Sequence, residues 1–328
     1  MSTYISNKMD GGNLMRAERH ERKKRKGRRR IRWASVLIVL FLLGGAAGLY
    51  AYLQYRSGVA ASQQVVGEKP EEYPFEGRRD ENGLTNILLL GSDSRKGEKA
   101  RTDTIMIASY NPDKGTYKLA SIMRDTYVGI PEHGENKINS AFAYGGPELV
   151  RQTIKENFDV ELQYYAIVDF KGFVNVIDTA FPDGVEVEVE KQMSDNIGVT
   201  LEPGVQRLDG EHLLGYVRFR QDAVGDFGRV ERQQKVIKEV GNQFATFQTV
   251  PKLPKLVGVI TPFVNTNLNT RDMISIGKGF LSKDSRNVET LRIPVEDSYQ
   301  DMRVSGAGLV LSIDLEQNRE ALKQFLYE

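Results

Sequence analysis

The chain has 328 residues, is 40% hydrophobic and carries a formal charge of +1, which suits one large folded domain with appendages. It has no cysteine and three histidines, so disulfide frameworks, thiol nucleophiles, lipoprotein anchoring and Cys-ligated zinc are excluded, and a histidine-rich metal site or Ser-His-Asp triad is poorly supplied. The near balance of charge hides a segregation: residues 1–32 hold twelve Lys/Arg against three Asp/Glu, which leaves the rest acidic at 33 against 41.

Residues 1–32 are a basic tail, and residues 33–55, WASVLIVLFLLGGAAGLYAYLQY, follow without a charge. That apolar length matches a helix crossing the hydrocarbon core. Trp33 at one end and Tyr50, Tyr52 and Tyr55 at the other suit the two interfaces, and the arginines before the span set the amino terminus inside. The run is too long for a signal-peptide core and no small-x-small cleavage site follows it, so the expectation is an uncleaved, single-pass type II anchor. Beside such a span the basic tail serves topology and attraction to anionic lipid, and no nucleic-acid partner is expected.

Residues 56–83 are polar and aperiodic and read as an extracytoplasmic linker. The folded domain is expected over 84–328. Its predicted strands are 85–91 (TNILLLG), 103–110, 117–123, 164–170, 184–190 (GVEVEVE) and 290–295, with YVRFR at 216–220 as a further strand. Helices are expected over 146–158, 170–180, from Gly228 to Phe247, and over 316–326. Short apolar runs alternating with helix-length segments indicate an α/β fold, and runs such as ILLL indicate strands covered on both faces.

Three predicted strand termini carry arginine and aspartate: Asp93 and Arg95 in GSDSR after the first, Arg101 and Asp103 flanking the start of the next, then Arg124 and Asp125 after the third. Open α/β sheets place ligands at such strand ends. Asp93 and Asp103, on neighbouring ends, could share a hard, oxygen-preferring cation such as Mg²⁺. In YVRFRQDAVGDFGRVERQQ, period-two geometry puts Arg218 and Arg220 on one face, and a helix from Gly228 puts Arg229, Arg232 and Gln233 on one face. Asp222 and Asp226 compensate only part of that positive charge, so the rows point to a pocket for a multiply charged anion. His212 is expected to cap or pack.

Taken together, NILLLGSDSR, RTDTIM, SIMRDTYV, KINSAFAYGGPELV, YYAIVDFKGFV, LDGEHLLGYVRFR and GDFGRVERQQ resemble the LytR-CpsA-Psr family of cell-wall enzymes, in order, over about 84–328. Met123 replaces the proline expected in SIPRD, and TAFPDGV replaces a glycine pair. The resemblance implies a central mixed β-sheet sandwiched by helices with an apolar cleft for a polyprenyl chain. It also implies a bacterial, membrane-anchored phosphotransferase of Gram-positive type. Such an enzyme moves an anionic glycopolymer, teichoic or capsular, from an undecaprenyl-pyrophosphate carrier to a peptidoglycan acceptor through a phosphodiester. Carried over by motif, Asp93 and Asp103 would hold Mg²⁺ (or Mn²⁺), while Arg101, Arg124, Arg218, Arg220, Arg229, Arg232 and Gln233 would contact the pyrophosphate. Asp226 would orient that set or assist deprotonation of the acceptor. The alternatives are a non-catalytic polyprenyl-phosphate sensor or regulator, and a polyprenyl pyrophosphatase.

Overall fold

A computed structural model describes residues 41–60, 62, 73–92, 102–244, 253–280 and 288–328. Helix α1 covers residues 41–60; Phe41, Leu42, Leu43, Leu49 and Leu53 along it are exposed. Residues 33–40 of the expected span lie outside the described residues, and among the described residues no helix is long and apolar enough to cross a membrane.

From Gln54 onward the chain forms one compact unit around a six-stranded mixed sheet in the order β10-β3-β2-β1-β6-β9. These strands are β1 (Thr85–Ser92), β2 (Thr102–Asn111), β3 (Thr116–Ile122), β6 (Tyr164–Asp169), β9 (Val264–Thr266) and β10 (Glu289–Ile293). The β1–β2, β2–β3 and β6–β9 pairs are antiparallel, whereas β1–β6 and β3–β10 are parallel. A second sheet runs β11 (Tyr299–Val304), β12 (Gly308–Ile313), β4 (Thr126–Ile130), β5 (Gly134–Lys137), and β7 (Val185–Val189) pairs with β8 (Gly204–Leu208) as a hairpin.

The alternation of side chains along a strand explains the layering. Leu88, Leu90, Ile105 and Ile107 turn to one face, where they meet Val150, Ile154 and Phe158 of α2 (Ser140–Phe158) and Leu322 and Leu326 of α8 (Leu315–Tyr327). Leu89, Met106 and Ala108 turn to the other, toward Ile237 of α5 (Asp226–Phe244) and Phe280 of α7 (Thr270–Phe280). Next to that second face, α3 (Phe170–Ala180), α4 (Gly210–Arg218) and α5 pack with the β7–β8 hairpin around Val185, Val187, Leu213 and Tyr216. The α/β class and the mixed sheet between helices are therefore present.

Most of the predicted elements recur within a residue or two. The strand at 216–220 does not: Tyr216, Val217 and Arg218 belong to α4, and Phe219 caps it in an extended conformation. Asp209 starts that helix by accepting the His212 N–H at 2.9 Å, and Leu213, Tyr216 and Val217 bury one face at i, i+3, i+4. His212 is not itself the cap but its partner within the first turn, its Nδ1 being 2.7 Å from Asp209 Oδ1. Tyr73 and Phe75, within the stretch read as linker, pack against the first core. Residues 55–60 contact α6 (Leu253–Ile260), where Gly58 and Gly258 face each helix's backbone. A Cβ at either glycine would lie 2.1 or 2.3 Å from a carbonyl oxygen of the other helix.

Candidate active site

Between the second face of the sheet and α3, α4 and α5 lies a cavity of about 470 Å³. Its walls are apolar: Leu89, Met106, Ala166 and Val168 from the strands, Phe170 and Phe173 from α3, Leu214 and Val217 from α4, Val236 and Ile237 from α5. Asp103, Arg218, Arg220, Arg229 and Gln233 also line it, so one chamber joins an apolar interior to a cluster of arginines.

Arg218 ends α4 with its guanidinium 4.6 Å from the centre of the Phe170 ring, a cation–π contact that fixes its direction without neutralising it. Arg220, two residues past the helix, is exposed. The two reach the pocket from a helix terminus and the chain that follows, not from one face of a strand. Arg229 is almost wholly buried, donates to the Asp103 main-chain oxygen at 3.1 Å and lies 3.0 Å from the Asp226 carboxylate. Burial pulls its pKa down, and Asp226 acts against that pull.

Arg124 lies beside this group. It donates to Asp103 Oδ1, and its other nitrogens stand 3.5 Å from Asp125 and 3.8 Å from Asp226. Burial lowers its pKa, but the charges of Asp226, Asp103 and Asp125 outweigh that and raise it overall. The Asp226 carboxylate thus sits between Arg124 and Arg229, with Oδ1 making no hydrogen bond among the described residues. Lys137, a residue outside the expected site set, lies 2.7 Å from Asp125 Oδ1.

Arg232 departs from the expected set. It is buried, lies 3.2 Å from Asp222, donates to the Phe219 main-chain oxygen at 2.6 Å and does not line the cavity. The reason is angular: at roughly 100° per residue, Gln233 follows Arg229 within about 40°, whereas Arg232 falls about 100° from Gln233. It therefore braces the loop after α4. Asp222 itself also accepts Lys191 at 2.7 Å and the Gly225 N–H at 2.8 Å. Asp169, at the carboxyl end of β6, lines the cavity while capping α3 through the Gly172 N–H at 2.6 Å, and Asp195, Asn196 and Gln221 complete the wall.

Asp93 and Arg101 lie outside the described residues, as does the Asp93–Asp103 metal pair that depends on them. Among the described residues no three His, Cys, Asp or Glu side chains group as a metal site. What is present, a partly exposed Asp103 carboxylate beside an arginine cluster, fits a cation such as Mg²⁺ that takes one or two carboxylates and completes its shell with water and phosphate.

The LytR_cpsA_psr family model matches residues 49–324. The Staphylococcus aureus (strain COL) "Regulatory protein MsrR" is 42% identical over 280 residues, covering 85% of each chain. From Oceanobacillus iheyensis, "Polyisoprenyl-teichoic acid--peptidoglycan teichoic acid transferase TagU" is 34% identical over 265 residues, 76% of this chain and 81% of that one. Among solved structures, Bacillus subtilis TagV superposes with a TM-score of 0.64 at 26% identity, covering 74% of this chain and 97% of its own. A structure of TagT bound to LI-WTA superposes at 0.61 with 27% identity, covering 78% and 95%. With the fold, the ordered motifs and a match spanning most of its length, this chain belongs to the LytR-CpsA-Psr family.

Proposed function

We propose that the chain is a membrane-anchored phosphotransferase on the outer face of a bacterial membrane, moving an anionic glycopolymer of teichoic or capsular type from undecaprenyl pyrophosphate to peptidoglycan. The observation that carries this reading is the joining of an apolar chamber to Arg218, Arg220, Arg229 and Gln233 in one cavity, the complement of a molecule that is hydrocarbon at one end and pyrophosphate at the other. The names of TagU and of the TagT complex agree with it. The uncharged 33–55 segment after a basic tail supports the anchor, with the domain outside.

In this mechanism the arginines hold the pyrophosphate in line with the incoming hydroxyl and offset the charge that builds on the departing phosphate. Asp226 is a positioning residue, fixing Arg124 and Arg229 in one direction. Asp103, with Asp93, would hold Mg²⁺ (or Mn²⁺), which supplies further charge neutralisation at the phosphate oxygens. The chamber shields the polyprenyl chain from water.

The test uses the full-length chain in detergent with a polyprenyl-pyrophosphate-linked glycan and peptidoglycan fragments, with Mg²⁺ or a chelator, following adducts by mass spectrometry. A phosphodiester-linked glycan should form only with metal, and Asp103→Ala and Arg218→Ala should each lower turnover on the order of a hundredfold. Phosphate release without an adduct would establish a pyrophosphatase instead. Donor binding without turnover would establish a lipid-binding regulator, the reading that the name of MsrR favours.

A further inference from the structure

A second cavity, of about 280 Å³, opens on the other side of Asp103. It is walled by Arg124, Asp125, Asn136, Lys137, Tyr144 and the turn at Gly306 and Ala307 between β11 and β12. Asp103 is common to both cavities. Its side chain is held by Arg124, of the second cavity, and its main-chain oxygen by Arg229, of the first. Whatever occupies the two chambers meets at this residue.

The chemistry of the second cavity differs from that of the first. Its described cations sit beside carboxylates, Arg124 by Asp103 and Asp125, and Lys137 by Asp125 at 2.7 Å. It has few apolar walls and no room for a polyprenyl chain. What it offers is amide and hydroxyl groups beside a flat ring. Tyr144 is 44% exposed, stacked on His133 with centroids 4.6 Å apart, and its hydroxyl accepts from Asn136 Nδ2 at 2.9 Å. The ring is held there by a break in α2: Gly145 and Gly146 leave helical geometry, Gly146 at φ 64, and the helix resumes at Pro147. An aromatic face kept half-exposed beside paired polar groups suits a neutral, hydroxyl-rich sugar, whose apolar ring face stacks while its hydroxyls exchange hydrogen bonds.

We propose that this second cavity is the acceptor subsite, binding a neutral sugar of the receiving glycan and presenting its hydroxyl at Asp103 to the pyrophosphate held in the first. The inference rests on the transferase reading. In the step, the sugar oxygen forms a bond to the polymer-linked phosphorus and the bridging oxygen–phosphorus bond breaks. Polyprenyl phosphate leaves with the electron pair, and the hydroxyl proton passes to solvent.

Full-length protein in detergent is assayed for transfer from the polyprenyl-pyrophosphate-linked glycan to uncharged, peptide-free glycan-chain fragments. Tyr144→Ala and Asn136→Ala should raise the acceptor KM by about tenfold or more while donor Kd shifts less than twofold, and Tyr144→Phe should keep most of the affinity. Ala307→Trp, which fills the cavity from the opposite turn, should act in the same direction and guards against a folding defect at Tyr144. Unchanged acceptor KM in these variants, with wild-type transfer intact, would overturn the proposal and leave the transferase reading standing. If wild type transfers nothing, the transferase reading fails. Saturation-transfer NMR of the same fragments then decides the subsite: binding lost in Tyr144→Ala upholds it, and equal binding in both proteins refutes it.

Discussion

Replacing Arg232 with methionine separates an arginine that holds the fold from those that face the cavity. The substitution keeps most of the apolar stem and removes the charge. Asp222 is left behind with a side chain only 6% exposed. Burial pushes its pKa up, but the Lys191 ammonium, the Gly225 N–H and the Arg232 charge hold it below the ordinary carboxylate range. Breaking a buried pair by removing one partner costs about 3–5 kcal/mol. Asp222 keeps Lys191 at 2.7 Å and the Gly225 N–H, which places the loss at the lower end, about 3 kcal/mol, with the orphaned Phe219 carbonyl included. In a domain of this size that lowers Tm by about 6–12 °C. Thermal melts followed by circular dichroism, alongside donor Kd, test this, and Asp222→Asn in the same background should cost less than the sum of the single changes. An unaltered Tm with a large loss of donor affinity would falsify the assignment and return Arg232 to the pyrophosphate.

Two further outcomes follow from the geometry. Leu214→Trp, on the wall formed by α4, should weaken binding of a long-chain polyprenyl pyrophosphate about tenfold or more while leaving binding of inorganic pyrophosphate unaltered, measured by competition; equal losses for both would mean the chamber does not hold the lipid chain. Hydrogen bonds from Lys155 and Lys323 hold the Asp159 carboxyl at about 2, below its ordinary value. A depressed folded pKa contributes stability that is present above about pH 4 and lost as pH falls toward 2. The group is nearly half exposed, which limits the effect to less than about 1 kcal/mol. Asp159 closes α2 in the left-handed region at φ 55, which asparagine also tolerates, so Asp159→Asn isolates the charge; its Tm deficit at pH 7 should vanish between pH 4 and 2.

Elements whose burial is written in their own residues were legible. The ILLL run of β1 is covered on both faces, GVEVEVE alternates buried and exposed through β7, and α3 follows Asp169, which caps it, over the expected residues. The short strands β4, β5, β11 and β12 were not, because they are held by pairing with one another more than by an apolar pattern, as in GENK and YQDMRV. YVRFR misled because five residues alternate well enough for a strand, whereas the helical period of α4 shows only when counted from the Asp209 cap.

The site divides along the same physical line. Residue type pointed to a cluster of arginines, and Arg218, Arg220, Arg229 and Gln233 line one cavity. It could not announce which arginine already has a partner, since that depends on loop geometry: Arg232 meets Asp222 only because the chain turns back between Phe219 and Asp226. Nor could it show that Arg124 and Lys137 face a different chamber from Arg218, because β4 and β5, which carry the chain past Asp125 to Lys137, leave no strong sequence signal. The division has a chemical consequence. Among the described residues, Arg218 and Arg220 border the apolar chamber with no carboxylate in salt-bridge range, while Arg124 and Lys137, beside Asp103 and Asp125, border the polar cleft. On the proposed reading, donor and acceptor would approach from these two sides of Asp103, the residue common to both cavities.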